Sequence, residues 1–159
     1  MFNDLLKYWN SQRIAYVPAK LQEVEAAESS LGTRFPDDFR RYLLEVNGTR
    51  DMDTNYFEFY PLDKLKKWTE VDPRFLDIPD HAPDSFRPED FLVFADYLQL
   101  CWGYAIRIDR EKRGEIIHWG MLSYSPICPS FSTFIELYLA DDKRIYTIQI
   151  SPSPEGTAA

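Results

Sequence analysis

Hydrophobic residues in the first third of the chain recur every three to four positions, the spacing that places them on one face of a helix. The run PAKLQEVEAAESSLG predicts a helix with Pro18 in its first turn and a stop at Gly32. The next stretch, FPDDFRRYLLEVNG, predicts a second helix, because Pro36 suits the first helical position and Asn47-Gly48 can adopt the left-handed backbone that closes a helix. In that role Gly48 is expected to tolerate asparagine far better than valine. The opening LLKYW predicts a shorter amphipathic helix.

After residue 48 the pattern favours strands. NYFEFYPL predicts a short strand and LDKLKKWTEV a single short helix, while FLVFADYLQL, CWGYAIRID and GEIIHWG predict consecutive strands. The last two strands are joined as a hairpin through DREKRG. Apolar residues alternate with small or polar ones along 102–108, which predicts a strand buried on one face. SFSTFIELYLAD predicts a late helix capped by Ser130 or Ser132, and RIYTIQI a last strand.

The segment VDPRFLDIPDHAPDSFRPEDF has no periodicity, and irregular segments of that length in a compact domain are usually functional or mobile. Helices first, a sheet in the middle and a helix late predict an α+β fold. The 159 residues, 45% of them hydrophobic, suit one ordered domain. We expect this domain to span residues 1–150, with 151–159 as a flexible tail.

Charge is unevenly distributed along the chain. The net charge is −8, and residues 51–100 hold twelve of the 26 acidic side chains but only five of the 18 basic ones. An acidic surface repels phosphate backbones, so direct binding of nucleic acid is disfavoured and a basic protein partner is expected.

The chain carries no signal of export or membrane insertion. No apolar run is long enough to cross a bilayer, and MFNDLLKYWNSQR lacks the basic leader and apolar core of a signal peptide. The two cysteines, Cys101 and Cys128, have no CxxC spacing and are interpreted as reduced thiols of the core. These features predict a cytoplasmic protein.

Candidate catalytic chemistry is sparse. His81 and His118 are the only histidines, neither has a second ligand at metal-binding spacing, and a structural role is expected for both. Nucleophile elbows, phosphate-binding loops and dinucleotide turns are absent from the sequence. The sequence therefore predicts a protein without catalytic residues, metal or cofactor.

Taken in order, several motifs resemble the SUKH superfamily, the Smi/Knr-type cell-wall-assembly-regulator domains. In that family an acid-containing helix ends in Leu-Gly, a further helix opens at Leu-Pro, and Asn-Gly closes it. The matching positions here are Glu28, Leu31-Gly32, Pro36, Phe39, Leu43 and Asn47-Gly48. The later segments FYPL, LVFADY, CWGYAIRID and SFSTFIELYL extend the resemblance to about residues 18–140. Phe35 replaces the usual leucine, and Thr49 stands where a further glycine is common.

The resemblance implies helices packed on one side of a mixed, largely antiparallel sheet, without catalytic residues. It implies an immunity protein that neutralises a cognate bacterial toxin, such as a nuclease, by binding it. The alternative is a scaffold or signalling adaptor related to regulators of cell-wall synthesis, and a small-molecule enzyme is the third hypothesis. We expect the acidic middle of the chain to bind the partner through four carboxylates and three aromatic anchors: Asp51, Asp53, Asp63, Asp96, Tyr56, Tyr97 and Trp102.

Overall fold

The computed structural model describes residues 2–71, 82–99, 101–119 and 124–146. Within these ranges the α-helices are α1 (Asn3–Ser11), α2 (Leu21–Leu31), α3 (Asp37–Glu45) and α4 (Phe131–Leu139). The strands are β1 (Phe57–Phe59), β2 (Lys66–Lys67), β3 (Phe91–Tyr97), β4 (Trp102–Arg107), β5 (Ile116–Trp119) and β6 (Pro126–Cys128). They form one sheet in the order β1-β3-β4-β5-β6, with β2 also paired to β3.

The predicted α+β class is confirmed. Every strand pairing among the described residues is antiparallel, so this part of the sheet has no parallel component. β4 and β5 form the predicted hairpin, whose turn closes at Gly114 in a left-handed conformation (φ 98°). Every helix in the described ranges is too short or too polar to span a bilayer.

Local signals place the helix ends. α2 stops at Gly32 (φ 67°), as predicted, but it begins after Lys20, whose backbone N–H donates to the Glu23 carboxylate (2.8 Å). Pro18 therefore precedes the helix instead of lying in its first turn. α4 is capped by Ser130, whose hydroxyl accepts from the Thr133 N–H (3.2 Å).

The Asn47-Gly48 pair after α3 is left-handed at both residues, with φ 62° and 77°. Gly48 also lies directly against the chain that leaves β1. A Cβ built on it would stand 2.5 Å from the Pro61 nitrogen and 2.7 Å from the Phe59 carbonyl oxygen. The expected tolerance for asparagine is therefore wrong, because any side chain meets this backbone.

All four described helices pack on one face of the sheet, over an aromatic core. Trp9 of α1, Phe39 of α3 and Phe131 of α4 are fully buried there, and the Phe39 and Phe131 ring centroids are 4.9 Å apart. Phe59 and Phe94 extend this core from the sheet.

The opposite face of the sheet is covered by the segments on either side of residues 72–81. Trp68 and Phe86 pack there on Phe91 of β3 and Trp119 of β5, forming a smaller second cluster. As a result β4 is buried on both faces, and the expectation of one exposed face is wrong.

The segment LDKLKKWTEV does not form the predicted single helix. It contains two short 3-10 turns, Leu62–Lys64 and Trp68–Glu70, on either side of β2. The lysines of β2 pair with Leu92 and Val93 at the edge of β3, and this tertiary pairing overrides the local helical preference.

Two further elements differ from the sequence pattern. β6 was not predicted, and Lys143–Ile145 is a 3-10 turn where RIYTIQI predicted a strand. The remainder of that stretch, the expected tail at 151–159, and His81 lie outside the described residues.

Candidate functional site

The four acidic residues predicted to bind a partner occupy different environments. Asp51 and Asp63 are exposed. Asp53 and Asp96 are only 5% and 3% exposed, and both accept hydrogen bonds from other parts of the chain. The structure therefore separates two surface charges from two internal ones.

Asp53 joins three elements beneath the surface. Its carboxylate accepts from the backbone N–H groups of Asn55 (2.8 Å) and Phe57 (2.9 Å), and from the Tyr138 hydroxyl of α4. The Tyr138 hydroxyl in turn accepts from the indole N–H of Trp9 (3.0 Å). Burial raises the pKa of Asp53, and these hydrogen bonds oppose the shift.

Asp53 also helps to close the outer edge of the sheet. Its backbone N–H donates to the Phe57 carbonyl (2.8 Å), and the Thr49 N–H donates to the Phe59 carbonyl (2.8 Å). The Phe59 N–H is satisfied by the Thr49 hydroxyl (3.1 Å). The outward backbone groups of Phe57 and Phe59 are thus already paired, and β1 is closed to an added strand.

Asp96 lies on the second face of the sheet. Its carboxylate accepts from the Tyr60 hydroxyl (2.8 Å) and so holds the chain that leaves β1 against β3. The neighbouring Glu58 pairs with Lys64 (2.8 Å). Asp96 is therefore an internal carboxylate with a structural role, and it is not a surface charge.

The three predicted aromatic anchors do come together, at the end of β1, β3 and β4. Tyr56 is 56% exposed, and its carbonyl accepts from the Leu98 N–H (3.0 Å), which places it beside the end of β3. Tyr97 and Trp102 are half-buried, with ring centroids 4.7 Å apart. We call this region the tip surface and define it by six residues: Tyr56, Tyr97, Leu98, Trp102, Asp141 and Tyr146.

Sequence reasoning missed half of the tip surface. The half-buried Tyr146 ring lies 5.5 Å from that of Tyr97, and its hydroxyl donates to Asp141 (2.6 Å). Leu98 is 37% exposed beside them. Tyr146 and Asp141 are more than 40 positions from Tyr97 in the sequence, and no local pattern connects them to it.

The tip surface contains unusual backbone conformations. Tyr56, Leu98 and Asp141 of this surface, and Gln99 next to Leu98, all have positive φ, between 51° and 66°. Bulky side chains rarely adopt this conformation, and residues held in it cluster at binding sites and switch regions. The strain identifies the tip as a candidate binding surface.

A groove of about 900 Å³ lies to one side of β1. Its walls include Lys20, Gly48, Pro61 and Asp63. The Asn47 side chain connects the walls, donating to the Val17 carbonyl (3.0 Å) and accepting from the Leu62 N–H (2.7 Å). Asp63 is therefore a groove residue and does not belong to the tip surface.

His118 is buried, as predicted. The Ile145 carbonyl can only accept, so His118 Nε2 carries the proton of their 3.0 Å hydrogen bond. Nδ1 then faces the Ser125 hydroxyl at 3.3 Å. Burial lowers the pKa of His118, which favours the neutral ring.

The two cysteines differ from each other. Cys128 is buried and burial raises its pKa to about 11, which agrees with a core thiol. Cys101 is exposed in the turn between β3 and β4, so its predicted place in the core is wrong. No group of three or more potential metal-ligating side chains occurs within the described ranges.

The fold is a small α+β domain with its described helices on one face of an antiparallel sheet. The family model described as SMI1 / KNR4 family (SUKH-1) matches residues 18–137, and the chain belongs to this family, as the sequence resemblance predicted. None of the curated proteins compared with the chain matches it. Membership supports a binding domain of the immunity-protein or SMI1/KNR4 type.

Proposed function

We propose that this protein is a non-enzymatic immunity protein that neutralises a cognate toxin domain by binding it. The observation that carries the proposal is the tip surface, where Tyr56 is exposed beside the half-buried Tyr97 and Trp102. Tyrosine and tryptophan are the side chains that most often anchor protein interfaces. Membership of the SUKH-1 family supports the same interpretation.

The partner is expected to be basic. The chain has a net charge of −8, and Asp141 places an exposed carboxylate in the tip surface. The carboxylate of Asp51 is exposed as well. Opposite charges accelerate encounter more than they tighten the final complex. A nuclease domain fits, because its phosphate-binding surface is positively charged.

Recognition at this site is expected to use side chains instead of strand addition. The outward backbone N–H and C=O groups of Phe57 and Phe59 in β1 are bonded to Thr49 and Asp53. They are therefore not available to pair with a strand of the partner. Specificity then resides in a few exposed residues that can change without disturbing the core.

The proposal predicts a toxin gene next to the gene for this protein, and the test is an alanine scan against the domain that this neighbour encodes. Tyr56→Ala and Trp102→Ala are expected to weaken binding by about 2 kcal/mol or more. Asp51→Ala is expected to cost less than about 1 kcal/mol and to act on the association rate, an effect that disappears at high salt. Binding is measured by calorimetry and stopped flow, after circular dichroism has shown that each variant is folded.

The matched control is Arg41→Ala, at an exposed position of α3. Asp53→Asn and Asp96→Asn are expected to act mainly through folding, because both carboxylates are internal. Normal binding by Tyr56→Ala and Trp102→Ala, together with weakened binding by Arg41→Ala, would move the site to the helices. A failure to bind the neighbouring toxin at all would refute the immunity role.

The alternative function is a scaffold or adaptor, and the groove beside β1 is the observation that favours it. The groove combines apolar Pro18 and Leu62 with charged Lys20 and Asp63, which suits an extended peptide. An adaptor is expected to lack a toxin gene as its neighbour and to bind several unrelated proteins. Groove variants such as Leu62→Ala would then weaken binding, while Tyr56→Ala would not.

A further inference from the structure

Three half-buried rings at the tip surface form one cluster. The Tyr97 ring lies 4.7 Å from Trp102 and 5.5 Å from Tyr146, measured between centroids. Beneath them Phe57 is fully buried and contacts Tyr97 (5.0 Å) and Tyr146 (5.9 Å). The three outer rings therefore rest on the core and keep part of their surface in solvent.

A carboxylate lies beside this ring cluster. Asp141 is exposed and accepts from the Tyr146 hydroxyl, and within the described ranges no ion pair joins it to a basic side chain. Burial raises the pKa of Tyr146, and the hydrogen bond to Asp141 and its negative charge raise it further. The ring cluster therefore has an exposed carboxylate at its edge.

The rings are held in place before any partner arrives. The Trp102 indole N–H donates to the Tyr104 hydroxyl (3.2 Å), which donates to the Ile145 carbonyl (2.8 Å). Tyr146 is fixed by its hydrogen bond to Asp141. Binding of a ligand to these rings therefore costs little side-chain entropy, because the side chains are already ordered.

Aromatic rings beside an exposed carboxylate suit a cation. The face of an aromatic ring is electronegative, and a guanidinium can stack on it while donating to a carboxylate. An apolar side chain would instead cover Asp141 without replacing its hydration. We propose that the ring cluster of Tyr97, Trp102 and Tyr146, with Asp141, is the receptor for an arginine side chain of the protein partner.

This inference rests on the proposed function, since it names the chemistry by which the tip surface recognises a basic partner. It adds Asp141 and Tyr146 to the predicted site. Asp141 accepts a hydrogen bond from the guanidinium, and Tyr146 is one of the rings on which the guanidinium stacks. Arginine is preferred over lysine, because a planar guanidinium can contact two rings and a carboxylate together.

The probe is the tripeptide amide Gly-Arg-Gly, compared with the neutral isostere Gly-citrulline-Gly, titrated into the full isotope-labelled chain. Nuclear magnetic resonance reports on the Trp102 indole N–H and on the Tyr97 and Tyr146 rings. The arginine peptide is expected to shift these signals at millimolar concentration, and the citrulline peptide to leave them in place. Equal shifts from the two peptides, or shifts confined to another surface, would overturn the proposal.

Two isosteric variants test the role of charge. Asp141→Asn keeps the acceptor for Tyr146 but removes the charge, and is expected to weaken arginine binding about threefold, the size of an exposed ion-pair effect. Asp37→Asn makes the same change at the opposite end of the sheet, beside Pro36 and the β4–β5 turn, and is expected to change nothing. Trp102→Leu removes one ring and one reporter, and is expected to abolish the shifts of the Tyr97 and Tyr146 rings. If that variant is unstable, Asp141→Asn still decides the test. Unchanged affinity in Asp141→Asn would overturn the proposal.

The outcomes separate this inference from the proposed function. A toxin domain that binds through Tyr56 and Trp102, combined with no arginine-specific shift, refutes the arginine receptor and leaves the immunity role standing. Arginine-specific shifts, combined with no binding of the toxin, refute the immunity role and support the receptor.

Discussion

Gly32, which caps α2, and Gly48, which follows α3, share a left-handed conformation but have different surroundings. Gly32 (φ 67°) has open space where a Cβ would be, whereas at Gly48 (φ 77°) that position is 2.5 Å from the Pro61 nitrogen. Gly32→Ala is therefore expected to cost about 1 kcal/mol, the penalty of a left-handed residue. Gly48→Ala adds a collision with backbone and is expected to cost about 3 kcal/mol or more in the free energy of unfolding. Urea denaturation of both variants measures the difference, and equal losses would contradict the close approach.

The same residue marks a limit of sequence reasoning. The Asn47-Gly48 pair predicted a left-handed backbone after α3, because that conformation depends on local sterics. The contact with Pro61 depends on a strand that returns beside the helix, which no local pattern records. Asp53 and Asp96 illustrate this further: their hydrogen-bond partners Tyr138 and Tyr60 lie 85 and 36 positions away, so both carboxylates resembled surface charges.

At the level of elements, the edge of β1 is held by two side chains. Thr49→Val removes the hydroxyl that accepts from the Phe59 N–H, at nearly constant side-chain volume. A buried N–H without a partner costs about 1–3 kcal/mol, so the variant is expected to lose that much stability and to speed hydrogen exchange at Phe59. Thr69→Val, at an exposed position, is the matched control. Unaltered exchange at Phe59 would show that the hydroxyl does not close the edge.

Elements with strong internal periodicity were predictable. α2, α3, α4 and β3–β5 follow from spacing, caps and the hairpin turn. β2 and β6 were not, since each has three residues or fewer and exists through pairing with a longer strand. Of the candidate site, the aromatic anchors of the β-strands were found, whereas Asp141 and Tyr146 belong to the region after α4 and reach the tip through the tertiary fold.

For the whole molecule, stability near neutral pH is expected to depend on His118. Burial places its folded pKa below the ordinary value of 6.5, so the unfolded chain binds the proton more tightly. The resulting stability is fully present above the unfolded pKa and is lost as pH falls below it toward the folded pKa. His118→Gln keeps a donor for the Ile145 carbonyl without this titration. The wild type is therefore expected to lose more stability than the variant between about pH 8 and pH 5.5.

Denaturant unfolding between about pH 8 and pH 5.5 measures how the free energy of unfolding changes with pH in the wild type and in His118→Gln. Asp53, whose pKa is raised from 3.8, acts in the opposite sense, and comparison with the glutamine variant cancels its contribution because both proteins contain it. Parallel curves for the two proteins would mean that His118 titrates alike in the folded and unfolded chains.

The left-handed backbone at Tyr56, Leu98 and Gln99 also limits how the tip surface can evolve. Valine, isoleucine and threonine are disfavoured at these three positions, whereas glycine and asparagine relieve the strain at the expense of an anchoring side chain. The regular strand positions of Tyr97 and Trp102 carry no such restriction. A lineage that follows a changing partner is therefore expected to diversify first at those two strand positions, and to retain the shape of the turns around them.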